Sequence, residues 1–568
     1  MCGILAVITA CELSDAVIAF AQQQSKIQMH RGPDERGSYQ ANQNILLCHE
    51  RLSIVDVQGG KQPLHHCYDN HQISSIVNGE IYNHKAIREN EIHSQVNELL
   101  YTHSDSEAVA ALYLQHLKDN PNDSFEESGK QLVSKLDGMF AFLLVDALSS
   151  TESANILIGR DPLGIKPLYV GYVCSKHPNS SNPNCFEFEQ NNIEQIWFAS
   201  EMKSLTQCCY IEECPSGHFS VVKMCTGSKL EKLNYKEFYH PRWYDHPSPI
   251  QITDESVAVE MVQAQITTAV EKRMMADVEV GVFLSGGLDS SITAALCKQY
   301  IDQRQHQTQL HSFCVGLENS PDILHAQEMA EHLGTVHHER IFTIEEGIDA
   351  LENVIYHLET YDVPLLRSAV PQYFISELAA RYVKVVLTGE GADELFAGYV
   401  HFGTANSSDS LRRECKRLTK ELGQLNLRRC DRMTMGFSLE SRVPFLDVEV
   451  MESVFSMDPE LFLHKNSDSS FRIEKDLLRK AFGHLLTDKV TKRTKLMFSE
   501  GVGDHWVRSL DEYCAAQISD DNFASSVSQY SDNPPATKTD LFVRRIYEKH
   551  FGPSCSRVVC LWTPGESF

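Results

Sequence analysis

The chain has 568 residues, enough for about two to four domains. Its 42% hydrophobic and 23% charged residues read as a soluble globular protein. A net charge of −26, from 77 acidic against 51 basic residues, sets aside a general nucleic-acid binder. No apolar run reaches the roughly 18 residues a helical membrane span needs, so no membrane partner is expected. The 17 cysteines are odd in number and scattered, with no C-x-x-C. That pattern fits reduced thiols and a cytoplasmic location better than a disulfide framework or a structural zinc site. "ILAVITAC" faintly resembles a lipoprotein cleavage box, but the first basic residue is Lys26, so an export signal is not expected.

The chain opens "MCGILAV". Cysteine is small enough that the initiator methionine is expected to be removed behind it. Cys2 would then carry both a thiol and an α-amine, a base with a pKa of about 8. A thiol beside a base is a nucleophile. The same letters also read as a buried apolar strand.

Residues 1–205 hold strand-like runs, among them "GILAVITA", "NILLCHERLSIVD", "ISSIVNGEIYN", "GMFAFLLVDA", "NILIGRD" and "QIWFASE". Helical patterns such as "SEAVAALYLQHL" fall between them, which predicts a layered α+β domain. The polar stretch 172–192 reads as an exposed loop. Residues 206–253, with Pro215, Pro241, Pro247 and Pro249, read as a connector with a closing hairpin. From 254 to 568 helices alternate with buried runs ("VEVGVFLSGG", "LHSFCVGL", "VKVVLTGEG"), which predicts an α/β domain on a parallel sheet. The tail after about 515 is polar and low in pattern.

"VFLSGGLDSS", Val282 to Ser291, is the strongest local signal. A buried strand ends in Ser285-Gly286-Gly287 and a helix starts at once. Glycines let backbone approach a ligand, and a helix start offers unpaired N–H groups and the positive end of its dipole, which suits phosphate. The lysine of a Walker A loop is absent. The stretch resembles the loop of the PP-loop ATP pyrophosphatases, which cleave ATP between its α and β phosphates. That resemblance makes Asp289 a Mg²⁺ ligand. A second cluster, "LTGEGADELFAGY", sets Glu390, Asp393 and Glu394 after a strand end, where carboxylates suit Mg²⁺ beside phosphates. A solvated acidic helix start would read the same way.

Amide chemistry needs a nucleophile, an oxyanion stabiliser and a grip on the amino acid. Cys2 supplies the first; the Asn78 side chain and the Gly79 N–H suit the second. Arg51 suits an α-carboxylate and Asp105 an α-ammonium. The segments "HRGPDERG", "HERLSIVD", "NGEIYN" and "HSDSEAV" together resemble the glutaminase domain of class II glutamine amidotransferases. With the PP-loop half, and with "IGRDPLGIKPLY", "ASEMKSL", "HLGTVHHE", "LETYDV", "SRVPFLD" and "FSEGVG", the chain resembles the glutamine-dependent asparagine synthetase family nearly end to end.

The resemblance implies an N-terminal-nucleophile αββα sandwich (1–205), a connector (206–253) and a PP-loop synthetase domain (254–568). It implies that Cys2 releases ammonia from glutamine, with its own α-amine as base. Ammonia would cross an internal tunnel to a site where ATP and Mg²⁺ convert aspartate into β-aspartyl-AMP, then displace AMP to give asparagine. Carried over by position, the glutamine pocket comprises Arg51, Leu52, Ser53, Ile54, Val55, Asn78, Gly79, Glu80 and Asp105. ATP would meet Leu284, Ser285, Gly286, Gly287, Asp289, Ser290, Val315, Thr388 and Gly389. Glu390 matches the carboxylate linked to acyl-adenylate formation, and Lys475 the lysine that neutralises pyrophosphate. Arg367, Glu390 and Asp393 fall in the acceptor site, and Asp289 and Asp393 would hold the metal. The partners implied are small molecules (glutamine, aspartate, ATP) and, as in relatives, a second copy in a homodimer.

Departures cluster on the acceptor side. After "ETYDV" the family usually reads Thr-Thr, an apolar residue, then Arg-Ala-Ser-Thr; here it reads Pro364-Leu365-Leu366-Arg367-Ser368-Ala369-Val370. The family's Lys-Glu-Gln-Phe-Ser reads Lys495-Leu496-Met497-Phe498-Ser499, and Ala392 stands where many relatives have Ser. Three readings stay open here: an asparagine synthetase with a modified acceptor pocket, a relative using another carboxylate, or a paralogue keeping mainly glutaminase or a regulatory role.

Overall fold

The computed structural model describes residues 2–149, 153–174, 193–225, 229–244, 250–304, 308–464, 471–496, 498–503 and 505–563. Most of the stretch expected as a loop at 172–192 lies outside the described residues, as does Met497. The chain forms two compact units, Met1–His240 with Glu548–Val559, and Pro241–Tyr547 with Cys560–Phe568.

The first unit runs β1 (Cys2–Thr9), α1 (Asp15–Ile27), β2 (Glu35–Asn42), β3 (Ile45–Arg51), β4 (Leu64–Tyr68) and β5 (His71–Ile81). Helices α2 (His84–Asn90), α3 (Ser94–Asn97), α4 (Glu107–Asp119) and α5 (Phe125–Ser134) follow. The remaining strands are β6 (Gly138–Leu148), β7 (Ala154–Arg160), β8 (Tyr169–Cys174), β9 (Ile193–Ala199), β10 (Tyr210–Glu213), β11 (His218–Met224) and β12 (Tyr235–Glu237). Among the described residues they form two six-stranded antiparallel sheets, ordered β10-β8-β9-β1-β3-β2 and β12-β11-β7-β6-β5-β4.

Period-two alternation decides the layers. Ile4, Ala6 and Ile8 of β1 share a core with Leu143 and Val145 of β6 and Ile156 and Ile158 of β7, between the sheets. Val77 and Ile81 of β5 and Phe140, Phe142 and Leu144 of β6 share another with Val109, Leu112 and Tyr113 of α4 and Leu132 and Val133 of α5. Helix α1 packs on β1 and β3 of the first sheet. The result is the expected αββα sandwich.

The boundary at 205 is corrected. Residues expected in the connector 206–253 form β10, β11 and β12, and β11 lies between β7 and β12 inside a sheet. Phe219, Met224, Leu230 and Leu233 are buried, so this stretch completes the first core. Its strands are short and partly polar, which hid them in the sequence.

The second unit begins with α6 (Glu255–Arg273), β13 (Val280–Phe283), α7 (Leu288–Gln303), β14 (His311–Gly316), α8 (Pro321–Leu333) and β15 (Val336–Ile341). Then come α9 (Ile344–Asp349), α10 (Leu351–Leu358), α11 (Val363–Ala379), β16 (Val385–Leu387), α12 (Ala392–Leu395), α13 (Ser408–Glu421), α14 (Asn426–Met435), β17 (Glu440–Arg442), α15 (Val448–Ser456) and α16 (Asp476–Phe482). Its sheet is parallel throughout, ordered β15-β14-β13-β16-β17. The chain leaves β13 toward β14 and β15, then returns to β16 on the other side of β13. Ligands bind beyond the carboxyl ends of strands at such a switch point. The tail is more ordered than its sequence pattern indicates: Lys538–His550 is a helix that buries Leu541, Val543 and Tyr547.

Candidate functional site

In the first unit, Cys2 is buried at the start of β1 and pairs with Arg51 of β3. Its backbone N–H donates to Asn78 Oδ1 at 3.0 Å. The other end of that amide, Asn78 Nδ2, is buried with no hydrogen-bond partner. A buried donor without an acceptor is costly unless a ligand supplies one. Gly79 has φ +140°, and a β-carbon there would stand 1.9 Å from the Met139 carbonyl oxygen. Only glycine fits that turn of β5.

Arg51 is turned inward. Its Nη1 donates to Glu35 Oε2 at 2.6 Å and its Nη2 to the Asp56 carbonyl at 2.7 Å and the Val55 carbonyl at 3.4 Å. It frames the loop carrying the buried Leu52, Ser53 and Ile54 and the half-buried Val55, and Ser53 N–H donates to Asp34 Oδ2 at 2.7 Å. Asp105 accepts from Ile81 N–H at 2.7 Å, beside buried Glu80 at the end of β5. Glu107 fixes this loop: it accepts from Tyr101 and Thr102 N–H at 3.0 and 3.2 Å, and Arg88 pairs with it at 2.8 Å. The expected pocket residues thus gather at one end of β1, β3 and β5.

Sequence reasoning missed the support beneath Cys2. Fully buried Arg31 donates from Nε to the Cys2 carbonyl at 3.0 Å and from Nη1 to Glu201 Oε1 at 3.0 Å. Glu201 also meets Lys203 at 2.7 Å and His30 at 3.1 Å. Burial alone would raise the Glu201 carboxyl; its cationic neighbours outweigh that and hold it well below the usual carboxylate range. The residues sit in "HRGPD" and "ASEMK", but pairing charges 170 positions apart cannot be read from the chain. His49, also buried, donates from Nε2 to the Val77 carbonyl at 3.1 Å, and burial lowers it to about 4.

In the second unit, Ser285–Gly287 links β13 to α7 as expected. Gly286 has φ +65°, and a β-carbon there would meet the His325 backbone at 2.4 Å. Ser285 N–H donates to Ser290 Oγ at 3.2 Å, and Gly287 N–H to Ser285 Oγ at 3.3 Å. Leu284 N–H is bonded to the Phe313 carbonyl at 2.8 Å. Gly389, after β16, lets Thr388–Glu390 approach: a β-carbon there would lie 2.8 Å from Asp289 Cβ.

The two acidic motifs converge on Lys475. Its Nζ lies 2.6 Å from Asp289 Oδ2 and 2.6 Å from Asp393 Oδ1. Lys475 is buried, and its φ of +57° at the cap of α16 is a strained conformation for a lysine. Gly398 leaves room for it: a β-carbon there would stand 2.0 Å from Lys475 Cε. Lys495, which the sequence reading did not assign, adds a second ammonium 2.7 Å from Asp393 Oδ2. Burial would raise Asp393; the two ammonium groups outweigh it and hold it at about 2. Burial would lower Lys495; the two aspartates outweigh it and raise it. Asp289 Oδ1 is buried with no hydrogen-bond partner. Among the described residues no three His, Cys, Asp or Glu side chains group as a metal site. Two converging carboxylates with a spare oxygen fit a cation that takes its other ligands from phosphates.

These groups line one cavity of about 1390 Å³, together with Val315, Thr388, Gly389, Glu390 and Arg367. Glu390 pairs with Arg429 at 2.7 Å, and Arg493 donates to the Ser285 carbonyl at 3.1 Å; neither arginine was foreseen. Burial, with Asp393 and Glu390 nearby, pushes Glu394 up to about 7. Arg367 pairs with Asp511 at 2.6 Å, while its Nε is buried without a partner. Pro371 inside α11 has no N–H to give the Arg367 carbonyl; the Trp506 indole N–H donates to it instead at 2.8 Å.

The departures at Pro364–Leu366 fit the start of α11. Pro364 is the second residue of α11, where a missing N–H costs nothing. Asp362 caps that helix through Leu365 N–H at 2.7 Å. Pro364, Leu365 and Leu496 line the cavity, and Leu366 is buried away from it.

Comparison with known proteins follows the same division. The glutamine amidotransferase domain family matches residues 1–225, and the asparagine synthase family matches residues 261–413 and 404–557. A probable glutamine-hydrolysing asparagine synthetase of Dictyostelium discoideum is 37% identical, covering 99% of this chain and 96% of that protein. One from Schizosaccharomyces pombe gives the same 37%, 99% and 96%. Asparagine synthetase 1 of Arabidopsis thaliana is 37% identical over 98% of this chain and 88% of its own. The chain belongs to the glutamine-hydrolysing asparagine synthetase family.

Proposed function

We infer that the protein makes asparagine from aspartate, using ATP and ammonia released from glutamine. The observation that carries this is the meeting of Asp289, Asp393 and Lys475 beside the phosphate loop, in a chain whose first unit buries Cys2 against Asn78.

With Met1 removed, the Cys2 nitrogen becomes an amine held by Asn78 Oδ1. It takes the thiol proton as sulfur attacks the glutamine carboxamide, and passes it to the departing ammonia. Asn78 Nδ2 and the Gly79 N–H then face the oxyanion. Water frees glutamate from the thioester. Glu80, Asp105 and the loop framed by Arg51 hold the amino-acid end.

In the second unit the aspartate side chain attacks the α-phosphorus of ATP. Pyrophosphate leaves into the N–H groups at the start of α7, with Ser285 and Ser290 as hydroxyl donors. Lys475 balances the growing charge, and Asp289 and Asp393 would hold Mg²⁺, which neutralises the phosphates. Glu390 lies where the acyl-adenylate forms, and Arg367 offers its spare Nε–H to the acceptor. Ammonia then attacks the acyl carbon, and AMP leaves. The same reading makes this a cytoplasmic enzyme acting as a homodimer on small molecules; no described helix is long and apolar enough to cross a membrane.

Pro364, Leu365 and Leu496 on the cavity wall favour a second reading, a more apolar acid as acceptor. Purified protein with glutamine, ATP and Mg²⁺, with and without aspartate, separates them. Pyrophosphate and asparagine in matching amounts support aspartate. Glutamate without aspartate-dependent pyrophosphate removes it as the acceptor.

A further inference from the structure

We propose that Trp562, latched to Asp362, forms the outer wall of the acceptor end of the cavity and is a positioning residue for the acid that is amidated. The proposal rests on the acceptor reading of α11 given above. Asp362 is a buried carboxylate with two separate duties. One oxygen caps α11 through Leu365 N–H, and the other accepts from the backbone N–H of Trp562, both at 2.7 Å. One side chain therefore ties the tail to the helical turn that carries Pro364, Leu365 and Arg367. The next tail residue is held as well: Arg417 of α13 donates to the Thr563 carbonyl at 3.3 Å.

Trp562 lines the same cavity as Arg367 and Ser368, yet 39% of it remains exposed. An aromatic ring that fronts a cavity while its remainder meets solvent acts as a wall. Its backbone is tied through Asp362 to the turn where the family's usual hydroxyl side chains have given way to Pro364 and Leu365. Those two side chains cannot hydrogen-bond an acceptor, so its placement falls to Arg367, Ser368 and shape. A rigid indole sets the length of acid that fits and keeps water from the activated acyl group.

The test uses the full chain with ammonia as nitrogen source, comparing wild type with Trp562→Ala and Trp562→Phe. Trp562→Ala should raise KM for aspartate about tenfold, the scale of one lost apolar contact in a specificity pocket. It should also release pyrophosphate in excess of asparagine. KM for ATP and glutamate release from glutamine should stay at wild-type values, and Trp562→Phe should recover most of the loss. Trp562→Pro, which removes the N–H to Asp362, should shift KM for aspartate in the same direction. Unchanged aspartate kinetics and coupling in the Ala and Pro variants overturn the proposal. A wild-type chain that yields no pyrophosphate with aspartate overturns the acceptor reading beneath it, and the proposal with it.

Discussion

The Lys475 ammonium lies 2.6 Å from the Asp289 carboxylate, although 186 positions of chain separate them. Lys475 reaches that point from a left-handed backbone at φ +57°, and Gly398 clears its path. Lys475→Met should therefore lower aspartate-dependent pyrophosphate release by roughly a thousandfold, the scale of losing a preorganised charge at a reacting centre. Glutamate release should remain. Gly398→Ala should copy the defect by displacing the lysine. Parallel assays of pyrophosphate and glutamate check both; a loss of both activities together would point to misfolding instead.

Cys2→Ala should abolish glutamine-dependent amidation and spare amidation with added ammonia. Intact-mass measurement of the N-terminus should show Met1 absent from active preparations. If ammonia fails to rescue the variant, the two-site scheme is wrong.

Asn78→Ala removes both the acceptor for the Cys2 nitrogen and the unpartnered buried donor. Glutaminase kcat should fall about 10²–10³-fold, as for loss of one oxyanion donor. Ammonia-dependent synthesis should be unaffected. A change confined to KM for glutamine would instead place Asn78 on the amino-acid end.

His49 gives the first unit a defined acid sensitivity. Burial holds it neutral down to about 4, whereas the unfolded chain protonates it near its ordinary value of 6.5. The unfolded state therefore binds the extra proton first, and stability falls as pH drops from 6.5 toward 4. The loss is on the order of 2–3 kcal/mol at the bottom of that window. His49→Gln, which keeps a donor for the Val77 carbonyl, should lose less stability between pH 7.5 and pH 5 than wild type. Denaturant melts of both chains at the two pH values measure it.

Much of this was legible in the sequence because the signals were local. Strand, glycines and helix follow one another at Ser285–Gly287, and alternating apolar runs marked β1, β3, β5, β6, β7 and β9. What stayed hidden depends on distance or on weak pattern. Arg31 and Glu201, or Lys495 and Asp393, meet only after folding. The family resemblance assigns Lys475, but its burial and left-handed backbone come only with the fold. The strands in 206–253 and the edge strand β15 are short or polar, so periodicity passed over them. The Pro364–Leu366 change is legible as a change, but its neighbour Trp562 comes from a tail with no pattern to announce it.

The return of Glu548–Val559 to the first unit has a genetic consequence. Helix Pro553–Ser556 packs on β10, with Cys555 beside Cys208. Codons 548–559 therefore encode part of the first unit, and codons 560–568 part of the second. A premature stop between codons 548 and 559 removes residues of both units at once, so such a lesion reaches glutamine hydrolysis as well as adenylation. An excised 1–240 fragment would lack its own cover over Cys208.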